Sequence, residues 1–251
     1  MWYKEALAMR RALVVYAIVI GVIAVLNAWG AGDEGGIYLT QATLDVAAVT
    51  TSILALIAGN SLGNECGDMA RTALLRPISR ERYAWTVFAV DIAALFVAYV
   101  GAAVIVIATF QAAHGFAPID LRGVSLLTCV VLPFGAVLAW YGLTTVCSVT
   151  SRGSRVVAVL IGPISYVLWL GATAQVRNVA KSFQVLCVVN PLMYLAAAIE
   201  RVEGQAHPNT LSFHNDGFYG MLPLTVDATI LYAIGIGALL VATVAWKRAE
   251  A

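Results

Sequence analysis

Asp91 stands inside an uninterrupted apolar run that extends from Tyr83 to Phe110. A carboxylate at that depth in hydrocarbon costs several kcal/mol unless it is paired, hydrogen-bonded or wet. Two roles follow. Asp91 is either a proton relay or a polar step on a translocation path, or it is a hydrogen-bonding tie to another helix or subunit. Asp45 and Asp227 fall near the ends of their own apolar runs, where water reaches them. The three histidines, His114, His207 and His214, lie between the runs. His207, His214 and Asp216 lack the spacing of a metal-ligand set and read as solvated loop residues. The chain contains no G-x-x-x-x-G-K-S/T phosphate loop and no H-E-x-x-H pair. No catalytic residue, cofactor-binding residue or metal ligand is therefore assigned to it.

The densest cluster of charged and apolar residues is the segment 63–82. Glu65, Asp68, Arg71, Arg76, Arg80, Glu81 and Arg82 alternate there with Met69, Leu74, Leu75 and Ile78. Pro77 ends any helix begun near Cys66, because the residue before a proline is driven out of the helical region. Ser79 is placed to cap a new helix with Arg82 in its first turn. A loop that only reversed the chain would not need Leu74, Leu75 and Ile78. Apolar residues among charges predict docking against a protein or a membrane surface.

The elements that must position these residues are set by the solvent. Of 251 residues, 61% are hydrophobic and 12% charged, with a mean hydropathy of +0.86. A soluble domain carries roughly 25% charged residues. Six apolar runs, about 12–29, 44–62, 83–110, 124–149, 156–174 and 224–246, each approach or exceed the ~20 residues a membrane helix requires. None shows the strict alternation of a barrel strand. The predicted fold is all-α and polytopic: one transmembrane domain, 1–251, with six membrane helices. Lys4, Arg10 and Arg11 before the first run imitate a signal peptide, but the run is long and five more follow, so an uncleaved helix is expected.

Eleven of the fifteen Lys and Arg residues fall on the side of the N-terminus, and only Arg122, Arg177, Lys181 and Arg201 on the other. The positive-inside rule then places both termini in the cytoplasm. Net charge of +1 conceals that asymmetry and gives no reason to expect nucleic acid as a partner. Residues 1–11, with Trp2, Ala6 and Met9 on one face, read as a helix lying along the inner interface or as a plain charged flank. In 175–222, Val185–Val189, Asn190-Pro191 and Leu192–Ile199 form pieces too short to cross twice with ease. They predict an outer re-entrant or surface-lying hairpin broken at Asn190 and Pro191, followed by an exposed loop. Cys66, Cys129, Cys147 and Cys187 are too scattered for a disulfide framework and read as small buried hydrophobes.

This layout resembles the membrane (permease) subunits of ATP-binding-cassette exporters of the ABCG-like class, whose bacterial members export drugs, antibiotics, ions or polysaccharides. The resemblance covers nearly the whole chain in arrangement, while motif detail is confined to Glu65, Gly67, Leu74-Leu75 and Pro77-Ile78-Ser79-Arg80, with Asn190-Pro191 opening the outer hairpin. The chain departs from the family at Gly67-Asp68, where a Gly-Thr pair is usual, and at Ala84-Trp85-Thr86-Val87, where a lysine or other polar residue often starts the third span. The resemblance implies that 1–11 is a connecting helix and that 63–82 is a coupling loop. Leu74, Leu75 and Ile78 would seat in a groove of a separate soluble ATPase, with Arg71, Arg76 and Arg80 at its rim. It further implies two ATPase copies carrying ATP and Mg, a second permease, identical or homologous, and a place in the bacterial cytoplasmic membrane. The apolar, aromatic-containing spans with Trp140, Tyr141 and Trp169 would suit an amphipathic or lipid-like cargo, and the same residues serve equally as packing or lipid contacts. The competing expectation is a proton- or sodium-coupled carrier using Asp91, which would favour paired midplane carboxylates and an internal repeat; the sequence has no convincing repeat. A membrane-embedded enzyme or scaffold would need a catalytic cluster at one face, and none is legible.

Overall fold

The computed structural model describes residues 2–30, 39, 42–62, 79–114, 119, 121, 124–150, 191, 194 and 223–248. Among them there is no strand. The helices are α1 (Trp2–Gly30), α2 (Ala42–Ala48 continued by Val49–Ala58), α3 (Arg80–Ala113), α4 (Leu127–Val131 continued by Leu132–Thr150) and α5 (Leu224–Arg248). Three of them, α3, α4 and α5, are long and apolar enough to cross a membrane; α1 and α2 carry the shorter apolar stretches Ala12–Leu26 and Val46–Ala58. The chain is thus a helical membrane protein. The predicted fifth run, 156–174, lies outside the described residues, as do 63–78.

Local sequence explains where the helices begin and bend. The Ser79 side chain accepts from the backbone N–H of Arg82 at 3.4 Å, and its carbonyl accepts from Tyr83 N–H at 3.0 Å, so the predicted cap opens α3. At 34 residues α3 is about 51 Å long, well over the ~30 Å hydrocarbon thickness. α1 runs through Arg11 without a break. Ala6 to Leu13 contain no glycine or proline, and the interfacial segment expected at 1–11 is helical from Trp2 and continuous with the first apolar run. α4 starts with a reciprocal pair: Ser125 N–H donates to Thr128 Oγ1 at 3.0 Å and Thr128 N–H to Ser125 Oγ at 3.1 Å, the logic of a capping box. Its first turns are wound wide over Leu127–Val131, just before Pro133. That proline cannot donate to the Cys129 carbonyl four residues back, and the hydroxyl of Tyr99 on α3 donates to that carbonyl.

α4 is the centre of the bundle. Of its most apolar window 72% is buried, against 33% for α3 and 39% for α5. α5 lies along α4 at backbone distance: a Cβ on Gly142 would come 2.6 Å from the Gly235 carbonyl oxygen, and one on Gly235 2.9 Å from Leu138 Cγ. α1 packs on α3 and turns Val14, Val15, Ile18, Val22, Val25 and Leu26 outward, as a lipid-facing helix does.

Two buried clusters fill the bundle, one around Ile20, Tyr99, Phe110, Leu132 and Leu231, the other around Leu54, Tyr83, Phe88, Leu95, Tyr141 and Trp246. The second cluster takes in Leu13 of α1, Tyr83 of α3, Val149 of α4 and Trp246 of α5. It therefore collects the N-terminal ends of α1 and α3 and the C-terminal ends of α2, α4 and α5. This end carries exposed Arg10, Arg82, Lys247 and Arg248 and is called the basic end below. At the opposite end His114 Nε2 meets the Ala28 carbonyl at 3.0 Å.

Candidate functional site

Asp91 lies on α3 about three turns beyond Ser79, and no part of it reaches solvent. Ser61 Oγ, just past the end of α2, donates to Asp91 Oδ2 at 2.8 Å. Tyr141 Oη, on α4, donates to the same oxygen at 2.8 Å. One side-chain oxygen thus joins three helices through two hydrogen bonds of 2.8 Å. Of the two roles open at the sequence level, the inter-helix tie is present in this geometry.

The approach of α2 to α4 depends on Gly59. A Cβ there would stand 2.8 Å from Thr144 Cβ and 3.0 Å from the Tyr141 carbonyl oxygen, so any larger residue would hold Ser61 back from Asp91. Phe88, one turn before Asp91, meets the Tyr141 ring edge-on at 6.3 Å and 86°, which fixes the phenol direction. Thr144 and Thr145 are also buried, but their hydroxyls donate to the carbonyls of Trp140 and Tyr141, four residues back, at 2.8 and 2.7 Å. Neither hydroxyl donates to Asp91.

Ser61 also belongs to the run Gly59-Asn60-Ser61-Leu62-Gly63, which has the G-x-S-x-G spacing of a hydrolase nucleophile turn. That turn works where a strand meets a helix and a histidine takes the serine proton. Here the serine follows a helix, and its proton points at Asp91. His114, the histidine among the described residues, belongs to the opposite end.

A second carboxylate corrects the sequence reading. Asp227 was expected within reach of water, yet it is fully buried. It lies in the first turn of α5, where its N–H and that of Val226 both donate to the Pro223 carbonyl at 3.2 and 2.8 Å. The positive end of the helix dipole favours a negative charge there. Tyr194, also fully buried, is within electrostatic reach of Asp227 and packs in the cluster of Ala228 and Leu231. Asp91 sits level with Tyr141, which neighbours Gly142 and its Gly235 contact. Eight residues of helix separate Gly235 from Asp227, so the two carboxylates are on the order of 12 Å apart along the bundle.

Of the other predicted site residues, Ser79 caps α3 and Arg80 opens it, and Pro191 is buried. Glu65, Gly67, Arg71, Leu74, Leu75, Arg76, Pro77, Ile78 and Asn190 lie outside the described residues, as do His207, His214 and Asp216. Among the described residues no three His, Cys, Asp or Glu side chains converge on a metal position, and Cys129 and Cys147 are free thiols. Sequence reasoning missed Ser61 and treated Tyr141 only as apolar surface. The available signal was a hydroxyl-bearing residue at the depth of an intramembrane carboxylate. No family model, curated protein or solved structure matches this chain.

Proposed function

We infer that the chain is the permease subunit of an ATP-driven exporter of the bacterial cytoplasmic membrane, working with a separate soluble ATPase and a second permease. The observation that carries this reading is the Ser61–Asp91–Tyr141 tie. It lies just before and just after the segment 63–78 and fastens both flanks of that segment to the central helix α4. A push on the segment would therefore reach the middle of the bundle. The directions of the described helices fit six spans with both termini on one side, since α1 and α3 start, and α2, α4 and α5 finish, at the same end. The concentration of exposed Arg10, Arg82, Lys247 and Arg248 there supports a cytoplasmic assignment of that end under the positive-inside rule.

In this mechanism ATP and Mg stay on the partner. ATP draws the two ATPase copies together, the coupling loop around Leu74, Leu75 and Ile78 is displaced, and α2 and α3 move against α4 to open the path outward. Hydrolysis resets them. The two states must differ in contact energy with the ATPase, for nothing else can drive the change. The cargo class that suits the apolar, aromatic spans is amphipathic or lipid-like.

A second reading is favoured by one observation, the second buried carboxylate. A proton- or sodium-coupled carrier would use Asp91 and Asp227 as ionisable stations. Co-expression with soluble ATPases decides between the two. The permease copurifies with one of them and moves cargo only with ATP, whereas the carrier moves cargo alone in liposomes under an imposed proton or sodium gradient.

A further inference from the structure

At the basic end the start of α3 meets the end of α5 through two contacts. Lys247 Nζ donates to Glu81 Oε2 at 2.8 Å, with both side chains about half exposed. Beneath them Tyr83 and Trp246 stack with ring centroids 6.4 Å apart and planes 27° from parallel, both buried. Neither contact is built for permanence. A half-exposed ion pair is screened by salt and adds little. Among the described residues the buried Trp246 indole N–H has no hydrogen-bond partner, which penalises this arrangement.

The surroundings make the contact separable. α5 is packed chiefly along α4 and touches α3 far less, so parting α3 from α5 leaves the Gly142–Gly235 backbone contact intact. Further along, α3 and α4 are held by Phe96 edge-on to Phe134 at 5.2 Å and by the Tyr99 hydroxyl on the Cys129 carbonyl. With the Asp91–Tyr141 hydrogen bond, about two turns past Tyr83, those contacts form the fulcrum.

We propose that Glu81–Lys247 and Tyr83–Trp246 are a releasable latch that holds the basic end closed. When it opens, the first two turns of α3 swing from α5 about the Asp91–Tyr141 bond and the Phe96/Tyr99 contacts beyond it. The orphaned indole N–H then gains access to water or to headgroup oxygens, which is the differential contact that a two-state element requires. As the control point of transport the latch rests on the permease reading, because Glu81 and Tyr83 begin the helix that follows the coupling loop. As a moving part it does not.

Spin labels at exposed Arg82 and Arg248, in the full chain in lipid nanodiscs, measure the latch by pulsed dipolar spectroscopy without any partner or cargo. The wild type gives a dominant short distance and a minor long one. Glu81→Gln raises the long-to-short ratio roughly two- to fivefold, as does high salt, and the swap E81K/K247E restores it. Trp246→Phe keeps the ring and deletes the orphan donor, and lowers the ratio roughly fivefold. A single unchanged distance in all four chains overturns the latch, as does a Trp246→Phe chain that opens further. Failure to copurify an ATPase, measured separately, would count against the permease reading and leave these distances standing.

Discussion

Removing the Tyr141 hydroxyl tests whether Asp91 is a structural tie. Tyr141→Phe keeps the ring against Phe88 and deletes one 2.8 Å hydrogen bond to a buried carboxylate oxygen. Hydrogen bonds between membrane helices average about 0.6 kcal/mol and reach about 1.7, while those to charged groups run to about 1.5–3. For a buried carboxyl acceptor inside a helix bundle, the expected loss is about 1–2 kcal/mol, a five- to thirtyfold change in the folding equilibrium. Ser61→Ala should cost a similar or smaller amount, because Ser61 is only partly buried. Both hydroxyls serve Oδ2, so the double variant should depart from additivity by at least about 0.5 kcal/mol. In an Asp91→Ala background Tyr141→Phe should cost almost nothing. Reversible unfolding in mixed detergent micelles, or steric trapping in bicelles, measures all of these. Additivity of Tyr141→Phe and Ser61→Ala, together with an undiminished Tyr141→Phe cost in the Asp91→Ala chain, would refute the tie. The transport arm is equally direct. On the proposed permease reading, Asp91→Asn retains an acceptor oxygen for the hydroxyls and should leave ATP-driven export largely working, whereas normal assembly with complete loss of transport would make Asp91 an ionisable station.

Three further outcomes are expected. Gly142→Ala drives a methyl carbon to 2.6 Å from the Gly235 carbonyl oxygen, so α4 and α5 must part and stability should fall by about 1–3 kcal/mol; Gly101→Ala, with nothing within 4 Å of its Cβ, should show no loss in the same assay. On the proposed permease reading, Leu74→Glu with Leu75→Glu should abolish copurification of the proposed ATPase while the chain still inserts, and unaltered copurification would remove the coupling role proposed for 63–82. Single cysteines at exposed Ser79 and Arg248 should react with a membrane-impermeant maleimide only in inverted vesicles; labelling from the outside of intact cells would reverse the orientation assigned to the basic end.

The sequence was most legible where local rules act alone. Ser79 followed by Glu81 and Arg82 marks a helix start because the orphan N–H groups of a first turn need an acceptor, and the Ser79 side chain supplies one. The run 83–110 reads as one long helix because nothing in it breaks the backbone ladder. The continuity of α1 across Arg11 was less legible, since a charge cluster changes what surrounds a helix without ending it. Asp227 was misjudged for a related reason. Its place near the end of an apolar run locates it along the membrane normal, but burial there depends on which neighbours cover it, and Tyr194 is thirty-three residues away in the chain.

By itself the sequence determined that the described apolar runs are helices, three of them long enough to cross a membrane. A chain so apolar has to satisfy its backbone within each segment, and in hydrocarbon a continuous run does so as a helix. What only tertiary structure decided was the partner of each polar side chain. Thr144 and Thr145 turn their hydroxyls back on their own helix, whereas Ser61 and Tyr141 send theirs across to Asp91. An intramembrane hydroxyl takes whichever acceptor lies within reach. That reach was set by the close approach of α2 to α4 at Gly59, a distance no property of residue 61 or 141 encodes.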